Sequence, residues 1–149
     1  MAASTIFYSI TRGATDLTRK VIELDTAMVN LQRVMDLPEH KFNEMLEQSI
    51  DNVENLSGKL GDYLNLVAEF GRMGYSDIDT LDMSNTAQML TNISDLTADE
   101  SVSSLVAAMT AFNITAEESV NIADKLNEVD NQYSITTKDL AKSMNKSAS

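Results

Sequence analysis

The chain has no cysteine, no tryptophan, one proline and one histidine in 149 residues. Without thiols there is no disulfide framework, no thiolate zinc site and no sulfur nucleophile. The single imidazole, His40, has no second soft ligand with which to complete a transition-metal site, and it follows Pro38 and Glu39 in what reads as a first helical turn. It is read as a surface residue. Basic residues are also scarce, 11 against 23 acidic ones, for a net charge of -12. That charge repels phosphate backbones and anionic lipid headgroups, so no nucleic-acid partner is expected. No apolar run approaches the roughly 20 residues needed to span a bilayer, and the N-terminus lacks the basic-then-apolar layout of a signal peptide. Membrane contact is not expected either. The only proline is Pro38 and the last of the five glycines is Gly74, so chain reversals in the second half must come from polar caps.

What is present points to helices. Ala, Leu, Met and Glu are frequent, aromatics are only 5%, and apolar residues never alternate with polar ones for long. At 43% hydrophobic content the length suits one core and is short for two. A near-repeat shows where helices start: "LTADESV" at Leu96, "ITAEESV" at Ile114, and a looser "ITTKDLA" at Ile135. Thr97 with Glu100, and Thr115 with Glu118, have the spacing of a capping box, in which the hydroxyl accepts from a first-turn N–H and the carboxylate reaches back. Thr136 with Asp139 keeps that spacing, and Ile135 with Leu140 fits a hydrophobic staple. Ser76 with Asp79, and Asp36 with Glu39, repeat the logic upstream. The unequal intervals, each holding a single helix, argue against a solenoid.

These starts predict seven helices: one ending near Asp36, one from Pro38 toward Ser57, then 62–73, 78–93, 98–112, 116–131 and 137–146. Val102, Leu105, Val106, Met109 and Phe112 mark the expected buried face of one, and Ile122, Leu126, Val129 and Tyr133 that of the next. The fold class is all-α: a long N-terminal heptad-patterned helix (1–36), then a bundle of about six shorter antiparallel helices (37–149). In the first helix Phe7, Ile10, Ala14, Leu17, Val21, Leu24, Met28, Leu31 and Met35 alternate steps of three and four, the pattern of a coiled-coil seam about 45 Å long. Two readings fit. The seam self-associates, with Lys20 meeting Asp25 of a parallel copy, or the stripe, widened by Ile22, Val29 and Val34, packs on the chain's own bundle. The helix-forming residues that run almost to the last position read as a segment cut from a longer helical protein.

No set of residues carries catalytic chemistry. Asp77, Asp79 and Asp82 suggest calcium, but an EF-hand loop needs glycine and glutamate where Asp82 and Gln88 stand. They are better explained as acids at a helix start. Ser143 and Lys146 match Ser-x-x-Lys without its companion motifs. Asn55, Asn92, Asn113 and Asn145 begin sequons that a composition rich in Asn, Ser and Thr produces by chance. The nine methionines mostly follow helical spacing and read as core. No glycine-rich phosphate loop is present. No enzymatic activity, cofactor or metal is therefore expected.

Three segments, in order and spacing, resemble the core region of tailed-phage tail tape measure proteins. They are "ELDTAMVNLQRVMD" (Glu23–Asp36), "LSGKLGDYLNLVAEFGRMGYS" (Leu56–Ser76) and the stretch from "NISDLTADESV" at Asn92 to "TTKDLAKSM" ending at Met144. The resemblance covers most of the chain. It implies a long, mostly helical protein that occupies the lumen of the tail tube in the virion and is assembled in the host cytoplasm. Such a protein sets tail length and scaffolds the tube. The partners it implies are other copies of the chain, tail tube and tail tip proteins, and tail assembly chaperones. Neither an apolar membrane-acting segment nor a peptidoglycan-cleaving domain is among these residues, and the resemblance carries over no catalytic residue. From a different class, a stand-alone acidic helical interaction module that presents a groove to a basic partner also fits the composition.

Overall fold

The computed structural model describes residues 2–94, 96–132 and 136–147, with side chains from Arg19 onward apart from a few positions near and beyond residue 130. Seven α-helices and no strand occur among them: α1 (Ala2–Met35), α2 (Glu39–Leu56), α3 (Leu60–Arg72), α4 (Asp77–Ile93), α5 (Ala98–Phe112), α6 (Val120–Gln132) and α7 (Thr137–Ser147). One 3-10 turn, Glu117–Ser119, leads into α6.

The caps account for most of these boundaries. At α5, the Thr97 Oγ1 accepts from the Glu100 N–H at 3.3 Å and the Glu100 carboxylate accepts from the Thr97 N–H at 3.0 Å, a reciprocal box. Thr115 and Glu118 form the same pair at 3.4 Å each way, and here the first turn is 3-10, so the α-helix begins four residues later than the sequence spacing suggests. At α7 the Asp139 N–H donates to Thr136 Oγ1 at 3.2 Å while the Thr136 hydroxyl donates to the Asp139 carboxylate. Ser76 caps α4 in the same way. Helices end on left-handed residues, Ser57 and Asn113, whose conformation turns a following N–H back to a helix carbonyl: Gly58 N–H to Val53 O, and Ile114 N–H to Met109 O. At Gly74, with φ at +87°, only glycine adopts the turn without strain.

Two expectations from the sequence do not hold. Asp36 and Glu39 form no capping box, because Asp36 is itself left-handed (φ 42°) and α2 takes Pro38 as its N-cap with no side-chain bond. The third helix starts at Leu60, two residues before Asp62, after an extended Lys59. Tyr133 and the proposed staple residue Ile135 lie outside the described residues.

Two apolar clusters share α3 and α4 as a common wall. Ala27 and Leu31 of α1, Phe42, Met45 and Val53 of α2, Tyr63, Leu64, Val67 and Ala68 of α3, and Leu81 of α4 form the first. The second takes Leu66 and Phe70 from α3 and Met83, Ala87 and Leu90 from α4, then Val102, Leu105, Ala108 and Met109 of α5, Ala116, and Ile122, Ala123 and Leu126 of α6. Each fully buried Leu contributes roughly 2 kcal/mol. The helices α1 and α3 run in the same direction: residues 19–30 of α1 and 59–65 of α3 line one cleft, and Val34 and Met35 meet Gly71 at the other end.

Candidate functional site

The described residues hold no group of three or more His, Asp or Glu placed to bind a metal ion. His40 is exposed. Asp77 and Asp79 sit in the first turn of α4, where the positive end of the helix dipole favours acids. Asp77 also pairs with Lys41 of α2 at 3.6 Å. Asp82, one turn on, lines a small cleft with Asn85, Thr86 and Glu117. Burial, and then repulsion from Asp79 and Glu117, raise its carboxyl above the usual range. The methionines divide: Met45, Met83 and Met109 are core residues and Met73 is exposed.

The polar features that are buried serve the scaffold. Tyr63 has no solvent exposure, yet its hydroxyl donates to Asn85 Oδ1 at 2.7 Å and accepts from Asn52 Nδ2 at 3.0 Å, tying α2, α3 and α4 together. Burial, tempered by the Asn52 bond, pushes its pKa up to about 12. On α4 the Ser84, Thr86 and Thr91 hydroxyls bond carbonyls one turn back. Two of them also reach neighbours, Thr86 to Ser119 at 2.9 Å and Thr91 to Ser101 at 3.0 Å. No described buried side-chain nitrogen or oxygen lacks a partner. The spacing of Ser and Thr along α4 carries the signal for this ladder, and pattern reading from apolar periodicity passes over it.

The seam residues of the first helix separate into two groups. Leu31 is fully buried, and Leu24, Met28 and Met35 are half-buried against the α3 cluster of the same chain. Val21 is 65% exposed, while the side chain of Leu17 lies outside the described set. Ile22 (59% exposed) and Val29 face solvent as well, so the described part of α1 carries three uncovered aliphatics on its outer stripe. A second uncovered surface lies where α5, α6 and α7 meet. Phe112, expected on the buried face of α5, is 64% exposed, because the chain turns at Asn113 before another element can cover it. It forms one rim of a cleft of about 500 Å³ lined by Ile114, Ile122, Leu126, Val129 and Leu140, with Lys125 the one charged residue among the described lining. An apolar cleft of this kind matches the groove in which an amphipathic helix docks. The caps Thr97, Glu100, Thr115, Glu118 and Thr136 lie at helix starts; Glu100 also meets Lys138 of α7 at 3.7 Å.

No helix among the described residues is long and apolar enough to cross a membrane. No solved structure matches the chain. Residues 50–149 match the sequence profile of the family described as phage-related minor tail protein, a stretch that takes in the end of α2 and every helix after it and leaves α1 outside. That match covers well over half of the 149 residues, and the chain belongs to the phage-related minor tail protein family.

Proposed function

We propose that this chain is a segment of a tail tape measure protein, a structural component that sets tail length and scaffolds the tube from within its lumen. The observation that carries the reading is the family match over residues 50–149. The likeness of Glu23–Asp36, Leu56–Ser76 and Asn92–Met144 to tape measure proteins narrows it from tail protein to ruler. In this reading α1 acts as an assembly element between copies, and the helices after it form an antiparallel bundle. The partners are other copies of the chain, tail tube and tip proteins and assembly chaperones. The acidic body, net charge -12, keeps the protein from adhering to DNA that shares the tube. The role is structural and not enzymatic.

The test is made in the phage. An in-frame duplication of 39–147 within the protein should lengthen the tail seen by electron microscopy, in proportion to the residues added. A tail of unchanged length in infectious particles would overturn the ruler reading. Hydrolytic activity of the purified chain toward peptidoglycan would overturn the non-enzymatic part.

A further inference from the structure

The outer stripe of α1 and the cleft beside Phe112 are both uncovered, and they complement each other. Ile22 and Val29 lie seven residues apart, two helical turns on one line, with Asp25 between them. This is the spacing with which a helix anchors in an apolar groove. A cleft of about 500 Å³ has room for both side chains. The one charged residue among its described lining is a cation, Lys125, in a stretch, 36–132, that holds 19 acidic residues and four basic ones. Neither Asp25 nor Lys125 makes an ion pair among the described residues. Within one chain the two surfaces stay apart, since α1 packs along α3 and the cleft is built from α5, α6 and α7.

We propose that the Ile22–Val29 stripe of α1 docks in the Phe112 cleft of a second copy, with Asp25 meeting Lys125. The contact is heterologous: each copy offers one donor surface and one acceptor surface, so association continues copy after copy into an open string rather than closing as a dimer. It specifies a contact between copies that the proposed function leaves open. Solution mass tests it, whereas tail length tests the ruler, so either can fail alone.

Light scattering of the full chain over a concentration series is the experiment. The mass should rise past that of a dimer as concentration increases. Ile22→Lys and Phe112→Glu, both at exposed positions, should each give monomers with unchanged helicity by circular dichroism. Mixed in equal amounts, the two variants should form dimers and stop there, because each retains one intact surface. Asp25→Lys or Lys125→Asp alone should weaken association about tenfold, and the two together in one chain should restore it. A wild-type chain that stays monomeric to about 1 mM, association that either blocking variant leaves unchanged, or a mixture that remains monomeric would each overturn the proposal.

Discussion

The cluster beneath α1 and the cluster between α3 and α6 share a wall, yet they are closed in different ways. Four helices enclose the second, α5 and α6 completing what α3 and α4 begin, apart from the cleft beside Phe112 that its Ile122 and Leu126 also line. The first depends on a single long lid: among its described side chains α1 contributes Ala27 and Leu31 as buried residues, and it packs mainly along α3. A lid of 34 residues lying on a 13-residue helix leaves much of its length beyond the seat. Local stability follows the number of buried contacts, so the two clusters should open at different free energies, α1 first. The stretch matched by the family profile excludes this lid and includes the enclosed cluster.

The sharpest way to break this comparison is a matched pair of truncations. Leu105→Ala, in the enclosed cluster, should cost about 3 kcal/mol and lower the whole unfolding transition. Leu31→Ala removes the same chemistry from the lid, and hydrogen exchange should show α1 losing protection while α5 keeps its own. Equal loss of protection throughout would mean that the lid and the body unfold as one unit. Next in size is Gly71→Ala. A methyl there would overlap the Met35 Sδ and stand 3.0 Å from Val34 Cγ1, so these two side chains must repack under α1 at a cost of about 1–3 kcal/mol. Denaturant titration followed by α1 amide exchange would register that loss on the lid alone.

Tyr63→Phe comes third, at about 1–2 kcal/mol, because Asn52 and Asn85 lose their shared partner at the junction of α2, α3 and α4. It also carries a pH signature. The folded-state pKa is about 12 against an ordinary 10.0, so stability from the neutral phenol is complete below pH 10.0 and falls away as pH rises through about 12. The Phe variant should lack this alkaline loss when thermal melts are compared across that range. The smallest effect is expected from Asp82→Asn. A raised folded pKa means that the charged carboxylate destabilises the fold at neutral pH, and the penalty disappears in acid as the group protonates. The Asn variant should therefore melt slightly higher at pH 7, with the difference vanishing once wild-type Asp82 is protonated.

Much of the helical layout was legible because it is written in local chemistry. Thr97 with Glu100 and Ser76 with Asp79 are neighbours in sequence, and their bonds form wherever the chain turns. Asp36 with Glu39 has the same spacing and fails, since a left-handed Asp36 and the proline at the N-cap leave no hydroxyl or carboxylate aimed at the first turn. Features that depend on distant partners were not legible. Nothing in "GDYLN" announces that Tyr63 will bond residues 11 and 22 positions away. Apolar spacing treats Phe112 and Leu105 alike, and only the tertiary path, turning away at Asn113, leaves one bare and the other buried. The heptad stripe of α1 has the same ambiguity: its residues 24–35 meet α3 of the same chain, whereas Val21 remains uncovered.

The hydroxyl ladder of α4 has a mechanical consequence. Ser84 and Thr86 occupy core positions where other bundles place Leu, and each keeps its bond to a carbonyl one turn back while the surroundings are rearranged. Exposing such a face to water forfeits far less transfer free energy than exposing an aliphatic one, at about 25 cal/mol for each Å² of apolar area. Pulled from its two ends, the chain should therefore give way by sliding along α4 at modest force, with the helix itself surviving the first slip. An optical trap would record this as a small extension that follows the release of α1 and precedes the unravelling of α4. For a chain drawn through a narrow passage, that weak plane would determine how much work the passage requires.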